Sequence, residues 1–139
     1  MSVIRPFRGI RPRPDRCPEI AAPPYDVVDY DEARAHVESR PHSFLRVEKS
    51  EIELDRGVDP HDTSIFENGK KNLQRLLADG LMIRDPGECL YLYQQKMGDH
   101  VQVGVVAGAS VDEYQRDRIK KHEHTRADKE QERTLHVDI

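Results

Sequence analysis

The sequence predicts an α+β domain, and three observations predict it. Thr63 to Asp79 carries a strong helical apolar stripe, two β-type runs are joined by Gly98-Asp99-His100 as a hairpin, and short strands and helices intersperse without a regular β–α alternation. The expected architecture is a mixed small sheet with a β-hairpin packed by helices, in a single domain over residues 1–139. A chain of that length buries about two thirds of its unfolded surface. Charged residues are 35% and hydrophobic residues 36%, a polar balance that implies a modest core or a missing neighbour.

Val3 to Ile10 reads as a short edge strand, because Pro6 cannot donate to a ladder and is tolerated at an edge. Pro12, Pro14, Pro18, Pro23 and Pro24 then break regular structure from Arg11 to Tyr25. The pair Pro23-Pro24 stiffens the approach to Tyr25 and Asp26 and holds them in a defined pose; a plain structural turn fits it equally. Asp29 to Arg40 has helical spacing with Tyr30, Ala33 and Val37 inward, and Pro41 ends it. Ser43 to Glu48 alternates like a half-buried strand. Lys49 to His61, poor in apolar residues and holding Gly57 and Pro60, reads as a flexible excursion.

The helix over Thr63 to Asp79 sets Ile65, Phe66, Leu73, Leu76 and Leu77 on its apolar side, with Gly80 as its C-terminal cap. Leu81 to Arg84 is a short strand and Asp85-Pro86-Gly87 a turn. The hairpin runs from Cys89 to Met97 and from Val101 to Ser110. In it Tyr91 and Tyr93 share a face and cover the sheet, while Gly104, Ala107, Gly108 and Ala109 leave room for another backbone or a ligand. Val111 to Arg118 forms a short helix.

The chemistry concentrates in Lys120 to Arg133. Thr125 followed by Asp128 is a capping-box variant that starts a helix near Arg126. The free N–H groups and positive dipole end of such a terminus seat phosphate or carboxylate. Arg126, Lys129, Arg133 and His136 follow at helical offsets and share a face. His122 and His124 point to one side if the preceding stretch is extended. The same residues also fit an ordinary surface helix, because Asp128, Glu130 and Glu132 interleave with the cations. A metal centre is not expected, since two histidines one residue apart supply two ligands where zinc takes three or four. There is no Gly-rich phosphate loop, so a phosphate site must use the last helix.

A net charge of −4 argues against general nucleic-acid binding. There is no apolar run of about 18 residues to span a membrane and no signal-peptide pattern over Met1 to Phe7, which points to the cytoplasm. Cys17 and Cys89 match no zinc or redox spacing; two reduced thiols are the default, with a single disulfide left open. The chain stops inside a helical pattern at Leu135 to Ile139 without a stop signal, so it reads as the N-terminal part of a larger protein.

Two motifs together resemble a known family. Arg5-Pro6-Phe7-Arg8-Gly9-Ile10-Arg11-Pro12 with Ala21-Ala22-Pro23-Pro24-Tyr25-Asp26-Val27-Val28, then Lys121-His122-Glu123-His124-Thr125-Arg126 with Asp128-Lys129-Glu130, look like domain-of-unknown-function family 1015 of bacteria and archaea. The resemblance spans the chain, and members are usually much longer. It departs at Glu132-Arg133, where an Asp-Arg pair is expected. It implies a link to serine biosynthesis and a phosphoserine phosphatase role, and a distant likeness to the ParB and sulfiredoxin fold, which includes an ADP-dependent serine kinase. On this reading the partner is a small phosphorylated metabolite, beside the remainder of the longer chain, and the reaction is phosphoryl transfer or phosphate-ester hydrolysis. Arg126, Lys129 and Arg133 hold phosphate oxygens with His124, Thr125 and the helix terminus. His122 or His124 protonates the leaving oxygen, and Glu123 or Asp26 serves as base, with Asp26 alternatively the nucleophile. The cofactor is left unknown, with magnesium open. The rival expectation is a non-catalytic nucleotide- or metabolite-binding module, and a third is a pure interaction domain.

Overall fold

The structure, a computed structural model, describes residues 2–120 and 125–138. Its helices and small antiparallel sheets make it α+β. In chain order the elements are β1 (Ile4–Arg5), β2 (Ile10–Pro12), α1 (Cys17–Ile20), α2 (Tyr30–Ser39), α3 (Leu45–Glu48), a 3₁₀ turn (Ser50–Glu53), α4 (Thr63–Ala78), β3 (Met82–Arg84), β4 (Tyr91–Met97), β5 (His100–Val106), β6 (Gly108–Ala109), α5 (Val111–Gln115) and α6 (Ala127–Asp138). They form two compact units. One takes Met1–Arg11 and Arg84–His124, the other Pro12–Ile83 and Thr125–Ile139.

In the first unit the hairpin is β4 on β5, in register from Tyr91 opposite Val106 to Met97 opposite His100. Gly98 takes φ +59 at the first loop position, where a two-residue hairpin turn favours glycine. The strands of this unit pair two by two and antiparallel, β4 with β5 and β1 with β6. The small residues after the hairpin do admit another backbone: β1 pairs with β6, and a Cβ at Gly108 would lie 3.4 Å from the Arg5 carbonyl oxygen.

A buried carboxylate anchors this unit. Asp85 accepts from Arg11 Nε at 2.9 Å and from the Tyr91 hydroxyl at 2.8 Å, and that hydroxyl accepts from the Gly9 amide at 2.6 Å. Arg8 Nε donates to the Asp85 carbonyl at 2.8 Å. The bonds from Arg11 and Tyr91 hold the Asp85 carboxyl below the ordinary range. Tyr91 packs on Phe7 with ring centroids 5.0 Å apart, whereas Tyr93 is largely exposed.

In the second unit α2 begins with a reciprocal capping box. Asp29 Oδ1 accepts from the Glu32 amide at 2.8 Å, and Glu32 Oε2 accepts from the Asp29 amide at 3.0 Å. Ala33 and Val37 of α2 form the core with Leu45 and Ile52, and Ala22, Tyr25, Val28 and Tyr30 pack against it. The Asp62 carboxylate caps α4 at the Ser64 amide, 2.8 Å. Ile65, Phe66 and Leu76 are buried, and Gly80 follows the helix at φ +66.

Three expectations change here. Ser43 to Glu48 is not a strand: Leu45–Glu48 form one helical turn, α3, with Leu45 and Val47 buried, and Ser43 just ahead of it is buried too. Four residues are too few to separate the two periods, and α3 is packed by α2 and α4, so the alternation marks no solvent face. The excursion after Lys49 is ordered at its start: Ser50 and Ile52 of the 3₁₀ turn are buried, and the Ser50 hydroxyl donates to the Ile65 carbonyl. The Pro-rich stretch contains α1, with Pro18 in its first turn, where a missing N–H costs nothing.

Glu53 is the polar hub of this unit. It accepts from Asn72 Nδ2 at 2.6 Å, from Asn68 Nδ2 at 2.9 Å and from the Arg46 guanidinium. Arg46 also donates to the Val37 carbonyl at 2.9 Å, and Asn72 Nδ2 donates to the Arg46 carbonyl at 2.8 Å. Burial raises the Glu53 carboxyl, but the bonds from Asn72, Asn68 and Arg46 outweigh it and leave the group below the ordinary glutamate range.

A carboxyl lowered by folding stabilises the folded state above its unfolded pKa of about 4.3, and that contribution is lost as pH falls through the folded value. Denaturant melts between about pH 5 and 3 should therefore show a steep acid loss of stability in the wild type, flattened in Glu53→Gln. At Gly69 a Cβ would meet the Val47 carbonyl oxygen at 2.7 Å. Gly69→Ala should thus lower unfolding stability by about 1–3 kcal/mol from overpacking, although alanine is the better helix former by about 1 kcal/mol.

Candidate functional site

Helix α6 and the residue before it supply one side of the site, and α6 belongs wholly to the second unit. The Glu130 amide donates to the Arg126 carbonyl at 2.9 Å, so the first helical bond starts at Arg126, one residue after the Thr125 cap that the capping pattern suggests. The Asp128 side chain, the other half of that pattern, lies outside the described residues.

Arg126, Lys129, Glu132 and His136 recur at intervals of three and four residues and line one cavity of about 630 Å³. Its apolar wall is Val28, Val58, Pro60, Ile65 and Phe66. Opposite α6 stand Asp26 from the Pro23-Pro24-Tyr25-Asp26 loop and Glu48, Lys49 and Glu51 from the end of α3 and the 3₁₀ turn. The cavity thus mixes three cations with four carboxylates against a hydrocarbon wall.

Several contacts fix these side chains. Lys129 Nζ donates to Glu132 Oε2 at 2.7 Å. The Arg133 guanidinium lies over the Tyr25 ring at 3.8 Å from its centroid, and Lys129 Nζ lies 5.8 Å from the same ring. Lys49 Nζ donates to the Tyr25 carbonyl at 3.3 Å. The His136 imidazole stands edge-on to Phe66, with centroids 6.1 Å apart and planes at 89°.

Two groups titrate away from their ordinary values, and in opposite senses. Burial pushes the Glu51 carboxyl up, with Glu132 adding to the rise; the bond to its own backbone and the charges of Lys49 and Lys129 oppose it. Burial pushes His136 down, helped by Arg133 and opposed by Glu48 and Glu132. A cavity that holds a carboxylic acid and an imidazole closer in pKa than in water suits proton transfer.

The residues singled out from sequence divide three ways. Asp26, Arg126 and Lys129 come together in the cavity. Thr125 and Arg133 line a neighbouring depression of about 580 Å³ with Tyr25, Lys129 and Glu130. His122, Glu123 and His124 lie outside the described residues. Among the described residues there is no group of three or more histidine, cysteine, aspartate and glutamate side chains placed to hold a metal ion. Cys17 and Cys89 are free and exposed. His136 received no role from sequence, although its spacing from Lys129 signals a shared face. Lys49 and Glu51 sit in a segment whose sequence gave no sign of order.

The family model described as "Protein of unknown function (DUF1015)" matches residues 4–139. No curated protein and no solved structure matches the chain. No helix among the described residues is long and apolar enough to cross a membrane.

The stacking of Arg133 on Tyr25 predicts that Tyr25→Leu, which keeps apolar bulk, loses about 0.5–1 kcal/mol of local stability in α6. Amide hydrogen exchange over 127–138 should quicken about two- to fivefold, with α4 unchanged.

Proposed function

The chain belongs to the DUF1015 family, and we propose that its α6 cavity binds a small phosphorylated metabolite, of the phosphoserine kind, and carries out phosphate-ester hydrolysis or phosphoryl transfer on it. The observation that carries this reading is the meeting of Arg126 and Lys129 with Asp26 in one cavity. Phosphoryl transfer asks chiefly for positioning and charge neutralisation. Arg126 offers a forked set of donors to phosphate oxygens, and Lys129 offers a point charge once it exchanges Glu132 for the ligand. Asp26 is the carboxylate that activates the attacking oxygen or attacks phosphorus itself. The wall of Val28, Ile65 and Phe66 receives the carbon skeleton. A cytoplasmic setting, where phosphorylated metabolites are retained, is part of this reading.

A second reading is a metabolite-binding module without chemistry. The Lys129–Glu132 pair favours it, since a ligand can displace Glu132 and alter the surface of α6 with no reaction.

Phosphate release from phosphoserine and a panel of other esters, with and without magnesium, distinguishes them. The expected outcome is selective turnover, with inorganic phosphate bound at least about tenfold more weakly by Arg126→Ala/Lys129→Ala, the loss of two charge-assisted contacts. Binding without turnover leaves the module. Phosphate affinity equal in variant and wild type removes the cavity from consideration.

A further inference from the structure

His136 reaches the cavity one turn beyond Glu132 and two turns beyond Lys129, on the same face as Arg126. It is the only histidine among the described residues that lines this cavity. Its half-buried ring meets Phe66 of α4 edge-on, a contact that favours one orientation of the imidazole in the cavity. We propose that His136 is the general acid of this cavity, taking up a proton together with the phosphoryl ligand and giving it to the leaving oxygen. The inference rests on the phosphoryl reading above and assigns a residue within it.

The charges around the imidazole explain why the proton arrives with the ligand. Glu132 and Arg133 flank it on α6, Glu48 faces it from α3, and α4 presents the uncharged Phe66 ring. Lys49, Glu51 and Asp26 complete the charged lining of the cavity. In the free cavity burial and Arg133 prevail over Glu48 and Glu132, so the imidazole is neutral at lower pH than usual. A phosphate dianion seated on Arg126 and Lys129 adds negative charge to the cavity that His136 lines and favours imidazolium.

The step then balances. A water proton passes to the Asp26 carboxylate as the water oxygen bonds to phosphorus. The bond from phosphorus to the ester oxygen breaks, its electron pair stays on that oxygen, and the oxygen takes the His136 proton. Asp26 returns its proton to His136 through solvent, leaving an alcohol and inorganic phosphate.

The test uses the full chain with inorganic phosphate and two esters. Calorimetry of phosphate binding near pH 7, in two buffers of different ionisation enthalpy, should show more proton uptake in the wild type than in His136→Gln, the proton change of phosphate itself being common to both. The wild-type imidazole resonance, identified by its absence from the variant, should titrate at higher pH when phosphate is bound. Turnover of phosphoserine should fall about 10²- to 10⁴-fold in kcat with KM little changed. 4-Nitrophenyl phosphate, whose leaving oxygen needs no proton, should lose far less. His136→Asn, with circular dichroism, serves as the second variant should Gln disturb α6. Equal losses on both esters, or a His136 titration unmoved by bound phosphate, would overturn the assignment. So would a wild type that binds phosphate but hydrolyses no ester, and this leaves the binding cavity standing. Failure of the wild type to bind phosphate overturns both readings.

Discussion

The Glu53 carboxylate is the constraint on which the second unit depends. It stands where α2, α3, the 3₁₀ turn and α4 converge, open to solvent on one side, and its protein-facing side is matched by donors from α3 and α4. Arg46 matches it from α3 while also satisfying the last turn of α2 at the Val37 carbonyl, and Asn68 and Asn72 match it from α4. Each donor thereby ties one element to another, and the removal of any of them leaves a partner short of its bond. The apolar cluster of Ala33, Val37, Leu45 and Ile52 supplies the burial, while the hub dictates which turn of which helix meets which.

The cavity inherits its geometry from that junction. Glu48, Lys49 and Glu51 lie two to five residues before the hub along the chain, at the end of α3, between α3 and the 3₁₀ turn, and in the turn, and they line the cavity with α6. Gly69 lets the Val47 carbonyl approach the α4 backbone, which brings α3 close enough for Asn72 to reach Arg46. The Pro23-Pro24 loop contributes the rest. Its stiff approach presents Tyr25 to Arg133 and Asp26 to the cavity, and Lys49 holds it through the Tyr25 carbonyl. One lysine thus links this lining to the loop.

The first unit solves a different problem. A two-stranded hairpin is marginal by itself in water, and this one leaves Leu92 and Met97 more than three-quarters exposed. Its base is secured instead by polar means, through the Asp85 carboxylate, the Tyr91 hydroxyl and the Gly9 amide. A Cβ at Gly9 would lie 2.6 Å from the Tyr91 hydroxyl oxygen, so glycine is required for that close approach.

Legibility followed the reach of the interactions. The sequence by itself determined the α+β class, the span of α4 with its Gly80 stop, the spacing and Pro41 stop of α2, and the hairpin, because each rests on periodicity or on stop and turn chemistry within about a dozen residues. It also marked Arg126, Lys129 and Asp26 as chemically loaded. Only the tertiary structure decided that Leu45 to Glu48, within the run expected as a strand, is a helical turn, since it packs against α2 and α4. Likewise Ser50 is buried by a bond to Ile65, a partner 15 residues away. Asp26 meets Arg126 and Lys129 across the cavity for the same reason, and Arg133, which shares their helix, goes to Tyr25 instead. Local rules place residues on a helix face; which residues share a cavity depends on contacts across many tens of residues, and those are settled by packing and by the satisfaction of buried charge.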